Sequence, residues 1–199
     1  MTKSVKTLAF ITISVLLSLA SDGQLKLPVT NGIGPDIKKV LQDYPNQFSN
    51  LKGDVVTENP QSTDFACNFK VDGAEEATIT QYSSANKYNI CSWQATMLTT
   101  DDFELATRKF KSLYGQLNNL STRMEEGVYL RIKANYESPV EEMKFTSIIF
   151  SVDNGSTTLK KLKVELTIQY ELLEWKVKVL IYDKEREDNE RGEVQESQQ

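Results

Sequence analysis

Between Leu162 and Tyr170 every second residue is apolar, and Lys163, Glu165, Thr167 and Gln169 fill the places between. A period of two belongs to a strand with one dry face and one wet face. Leu173, Trp175, Val177, Val179 and Ile181 repeat the pattern a few residues later. A slip of one residue would exchange this hydrocarbon row for charges, so the register of these two strands is firmly specified. Val128, Leu130, Ile132, Ala134 and Tyr136 form another such row, broken by Ser138-Pro139. A less regular strand over 144–152 runs into Asp153-Asn154-Gly155, a turn signal.

The first half shows the same alternation more weakly. Strands are expected over 54–58, 64–71, 77–82 and 88–98, separated by Asn59-Pro60, Asp72-Gly73 and residues 83–87. Two stretches change period. Ile37, Val40, Leu41, Tyr44, Phe48 and Leu51 make a helical stripe starting near Pro35 or Asp36, and Pro45 either kinks this helix or ends it near Asp43. Phe103, Ala106, Phe110, Leu113, Leu117 and Leu120 make a clearer stripe, with Thr99, Thr100 and Asp101 as caps.

Together these elements predict an α+β fold, a mainly antiparallel sheet packed against two helices in the order α-β-β-β-β-α-β-β-β-β. Residues 35–182 form one domain, whose halves 35–98 and 99–182 share that order. Phe69-Lys70-Val71-Asp72-Gly73 resembles Phe150-Ser151-Val152-Asp153-Asn154-Gly155, and each is followed by a strand ending in Gln-Tyr, at Gln81-Tyr82 and Gln169-Tyr170. The pattern records either an internal duplication or two hairpins with the same turn needs.

The ends read differently. Residues 1–20 carry Lys3 and Lys6 ahead of an apolar run, with Ser18 and Ala20 at the positions a signal peptidase reads, as in a removable secretory signal. The run over 8–20 spans roughly 20 Å as a helix, short of the roughly 30 Å of a bilayer core, so no membrane span is expected in the mature chain. Residues 21–34 form an extended entry segment, and residues 183–199 an acidic, disordered tail. Export places the protein in the periplasm or outside the cell. The chain has 28 acidic and 23 basic residues; losing two lysines takes the net charge from −5 to −7, which makes nucleic acid an unfavoured partner. Lys160, Lys161, Lys163, Lys176 and Lys178 alternate with apolar residues for the most part and read as a wet strand face.

Chemistry is bounded chiefly by what the composition lacks. There is no histidine, which excludes Ser-His-acid and Cys-His mechanisms, and two cysteines cannot build a Cys-only metal centre. No metal site, cofactor or catalytic residue is therefore assigned. Gly32-Ile33-Gly34 lacks the strand and spacing of a dinucleotide site. Cys67 and Cys91 are candidates for a disulfide if their strands are neighbours, whereas a sequential meander would leave one strand and a gap of about 9.6 Å between them. Asp101-Asp102, Glu125-Glu126 and Glu141-Glu142 are carboxylate pairs of the kind a metal-independent hydrolase would need, but they sit at element ends where capping accounts for them. Tyr44, Tyr82, Tyr88, Trp93, Tyr114, Tyr136 and Trp175 are candidates to line a groove for an apolar or carbohydrate ligand. The leading expectation is an exported, non-catalytic binding or interaction module whose partner is a small molecule, a carbohydrate or a protein. A carboxylate hydrolase and an envelope scaffold pairing through a sheet edge are the alternatives.

Overall fold

A computed structural model describes residues 32–83, 90–124, 127–153 and 159–184. The signal-like stretch 1–20, most of the entry segment, the turn residues Asn154 and Gly155, and the tail beyond Lys184 lie outside them.

Helix α1 (Gly34–Asp43) carries Pro35 in its first turn, where the missing N–H costs nothing. Pro45 ends it as expected: a 3-10 turn follows at Tyr44–Asn46, and Gln47 and Phe48 both take positive φ. The buried Asp43 carboxylate holds this reversal by accepting the backbone N–H of Asn50 at 3.1 Å. Phe48 still reaches the core, so the stripe survives the break in the helix.

Four strands come next: β1 (Lys52–Asn59), β2 (Ser62–Cys67), β3 (Glu76–Tyr82) and β4 (Ile90–Thr100). Helix α2 (Phe103–Leu117) begins at an Asp102 side chain that accepts the Leu105 N–H at 3.0 Å. The chain continues with β5 (Ser121–Arg123), β6 (Tyr129–Lys133), β7 (Phe145–Asp153), β8 (Leu162–Glu171) and β9 (Glu174–Asp183). The protein is thus of the α+β class, with two helices and nine strands among the described residues.

The strands form one sheet in the order β1-β2-β3-β4-β9-β8-β7-β6-β5. All the pairings are antiparallel. Each half is a sequential meander, and the two join where β4 meets β9. One row shows how the alternation builds the core: Val55, Phe65, Ile79, Trp93, Ile181, Val164 and Phe150 are successive partners across seven strands. From Ile79 to Phe150 that row is fully buried. Helix α2 lies against β4, β8 and β9 through Ala106, Phe110, Leu113 and Leu117, and α1 adds Ile37, Val40 and Leu41 to the same core. The opposite face of the sheet is hydrogen-bonded instead of greasy. Thr80 donates to Asp64 at 2.7 Å, Thr96 to Glu76 at 3.2 Å and Tyr182 to Glu165 at 2.9 Å, and Ser147 donates to the same Glu165.

Three expectations from the alternation are corrected. The strand expected over 64–71 ends at Cys67, because Asn68 turns back and its side chain donates to the Lys52 carbonyl at 2.9 Å. The strand expected from Val128 to Tyr136 ends at Lys133, because the backbone of Ala134 is captured by Asn118 and Tyr114 of the α2 end. A fifth strand, β5, precedes it in the second half, and at three residues it is too short to show a period.

Candidate functional site

The residues singled out from the sequence do not assemble into one site. Trp93 is fully buried in the sheet row, and Trp175 packs against Phe103 at 4.7 Å and Tyr170 at 5.1 Å. Tyr114 lies against Tyr136 at 5.0 Å and Phe150 at 6.0 Å. Tyr44 meets Phe48 edge-on, and Tyr82 shares a hydrogen bond with Ser92 on the polar face. These rings divide among separate packing clusters and line no common groove; Tyr88 lies outside the described residues. Asp102 is committed to its helix cap, Glu141 and Glu142 are exposed beside each other, and Glu125-Glu126 is also outside the described residues. Among the described residues no group of three or more acidic or cysteine side chains is placed to hold a metal.

Cys67 and Cys91 are both free thiols. The disulfide is not formed, and the meander is the reason: β3 lies between the strands that carry them. Lys52, the cross-strand partner of Cys67, instead extends its ammonium to within 3.6 Å of the Cys91 sulfur and 2.8 Å of the Gln81 side-chain oxygen. It also lies 5.0 Å from the centre of the Phe65 ring. Burial pushes the Cys91 thiol up from its ordinary value, and the Lys52 charge only partly opposes this. Cys91 lines a pocket of about 160 Å³ together with Tyr44, Pro45, Gln47, Phe48, Ile90 and Asp183. The Tyr44 hydroxyl donates to the Asp183 carboxylate at 3.2 Å across it.

A second feature stands at the other end of β9, and sequence periodicity passed over it. Glu171 pairs with Glu174 to close the β8–β9 hairpin, so Leu172 and Leu173 alone make the turn. Their φ angles are 52° and 70°. Two consecutive positive φ values define a turn that favours Asn-Gly, because a Cβ clashes there. Both leucines nevertheless point into solvent, 82% and 78% exposed. The Lys144 carbonyl accepts the Tyr170 N–H at 2.8 Å, which brings the loop before β7 alongside the tip. That loop adds Met143, 67% exposed, and Phe145, 49% exposed.

Charge around the tip is unevenly compensated. Glu171 is bridged by Lys178 at 3.4 Å and Lys176 at 3.6 Å, and Lys178 first, then Lys176, hold its carboxyl below the ordinary range. Lys144 sits 5.5 Å from the Tyr170 ring centre. Lys176 and Lys178 are thus paired with Glu171, whereas Lys144 is exposed, as are Glu141, Glu142, Glu174, Asp101 and Asp102 at the same end, so acidic side chains outnumber basic ones there. The result is an aliphatic tip with an acidic rim.

Compared with known proteins, the chain matches no family model, and neither a curated protein nor a solved structure is significantly similar to it. Among the described residues no helix is long and apolar enough to cross a membrane.

Proposed function

We propose that this protein is a non-catalytic interaction module, exported from the cytoplasm, that docks through the β8–β9 tip. The observation that carries the reading is the Leu172-Leu173 pair. Backbone strain and exposed hydrocarbon are both unfavourable for the isolated fold, and Asn-Gly would relieve both at once. Residues that serve neither stability nor solubility at a protruding turn are explained by contact with something else. The carboxylate hydrolase reading has no comparable support, since of its candidate pairs the two among the described residues, Asp101-Asp102 and Glu141-Glu142, are exposed or spent on a cap.

The same reading treats residues 35–182 as one domain made from a duplicated helix-and-meander unit. Its support is that the last strand of each half, β4 and β9, meet antiparallel at the centre of the sheet, as a two-fold arrangement of equivalent units requires. The secretory signal and the periplasmic or extracellular destination remain inferences from residues 1–20.

The test is native mass spectrometry of the protein recovered from its own host, as the parent chain and as a Leu172→Asn/Leu173→Gly variant. The parent is expected to carry a bound partner that the variant lacks. Identical spectra from the two would sink the proposal.

A further inference from the structure

Export would give one further motif a chemical meaning. Asn119-Leu120-Ser121 is an Asn-x-Ser triplet without proline, the acceptor signal for N-linked glycosylation. Asn119 follows the last turn of α2 and takes a φ of 68°, a left-handed conformation that asparagine tolerates where a helix ends. The turn is held from two sides. The Asn119 N–H donates to the Ile132 carbonyl at 3.0 Å, the Leu120 N–H to the Leu117 carbonyl at 2.9 Å, and the Leu120 side chain is buried. Asn119 itself is exposed on this fixed turn.

The two ends of its amide are used unequally. Oδ1 accepts the Arg131 guanidinium at 2.8 Å, whereas Nδ2, the atom that a sugar joins, has no partner among the described residues. A sugar on Nδ2 replaces one hydrogen and leaves the Oδ1 lone pairs alone, so the modified side chain keeps its bond to Arg131. A helix end accounts for asparagine at 119 but not for serine at 121. Ser121 is exposed on the three-residue β5, and its hydroxyl bonds nothing among the described residues. We propose that Asn119 carries an N-linked oligosaccharide once the chain enters a secretory pathway that holds an oligosaccharyltransferase. The donor class is a polyprenyl-pyrophosphate oligosaccharide. Nδ2 bonds to the anomeric carbon of the first sugar as the bond from that carbon to the pyrophosphate oxygen breaks. The lipid pyrophosphate leaves with the electron pair, and the proton lost by the amide balances the charge it gains. Helix α2 has 15 residues, so Asn119 stands roughly 22 Å along the axis from the Asp102 cap at the tip end. A glycan there leaves the leucine tip open. The proposal rests only on the export part of the reading above, and not on docking through the tip.

The test is secretion of the full chain from cultured animal cells, once with its own residues 1–20 and once with a proven secretory signal in their place. Trypsin frees residues 112–123, which hold Asn119 and no other Asn-x-Ser triplet. Asn154-Gly155-Ser156, of which Asn154 and Gly155 lie outside the described residues, falls in a different peptide. Release of the glycan by peptide N-glycosidase in heavy-oxygen water is expected to leave position 119 about 3 Da heavier in both arms. Ser121→Ala is expected to abolish that gain and Ser121→Thr to keep it; both alter an exposed side chain and leave the Asn119–Arg131 bond in place. Recovery of the 112–123 peptide wholly unmodified from the arm with the proven signal would overturn the proposal, as would a gain that survives Ser121→Ala. Modification in that arm alone supports the acceptor site and overturns the export reading of residues 1–20.

Discussion

At the scale of single residues, Leu172 and Leu173 hold a left-handed conformation that costs an L-residue about 1–2 kcal/mol each. Replacing them with Asn and Gly removes most of that strain, though glycine returns part of it to the unfolded chain. The double variant is expected to be more stable by about 1 kcal/mol, a rise in Tm of roughly 2–4 °C by calorimetry. A fall in Tm would show that the leucines serve the fold after all. Cys91 gives a prediction with a pH signature. Its thiol is raised by burial above the ordinary value of 9.0. Below that value the group is protonated in both states; above it the unfolded chain releases its proton first, so stability drains away as pH climbs through 9 toward the folded value. Urea midpoints measured between about pH 8 and 10 should therefore fall more steeply for the parent than for Cys91→Ala. Equal slopes would mean that the thiol is not desolvated. Because Cys67 and Cys91 are both free, the intact mass should not change on treatment with reductant.

At the scale of elements, legibility tracked burial on one face. Strands β8 and β9 alternate cleanly because each lies between two strands with one side against the helices, and sequence placed both to within two residues. Strand β1 lies at the sheet edge with six of its eight residues exposed, so its burial pattern carries no alternation to read. The end of β6 was misjudged for another reason. Ala134 continues the apolar period, yet side chains from α2 take its hydrogen bonds: Asn118 accepts its N–H at 3.1 Å, and Tyr114 donates to its carbonyl at 2.9 Å. Asn118 and Tyr114 also bond each other at 3.1 Å. Asn118→Ala leaves a half-buried N–H without its acceptor and should cost about 1–2 kcal/mol, with Tyr114→Phe near the lower figure. Since the three groups act together, the double variant should lose less than the sum of the two singles in denaturant unfolding. Strict additivity would show that the triangle does not act as a unit. The candidate site was nearly illegible, because strand periodicity reads Leu173 as an inward residue. Its meaning comes only from a turn that places both leucines outside.

At the scale of the molecule, the halves are bound through β4 and β9 and also through α1. The Ile33 N–H is accepted by Gln116 of α2 at 2.9 Å, and Gln42 donates to the carbonyl of Arg123 in β5 at 3.0 Å. The halves should therefore unfold together. Trp93 reports on one and Trp175 on the other, so Trp175→Phe and Trp93→Phe chains, each read by its remaining tryptophan, should show the same relative cooperativity and a single transition by fluorescence and circular dichroism. Two separated transitions within either chain would mean independent domains. The position of β9 also governs the order of events during synthesis. Among the described strands, the one that fills the middle of the sheet is the last to leave the ribosome, and about 74 residues separate it from the neighbour it must join. At roughly 5–20 residues per second that is a wait of several seconds to about fifteen. Throughout it β4 lacks its β9 partner on one flank, so a nascent chain of this protein stays open and threadable until β9 arrives.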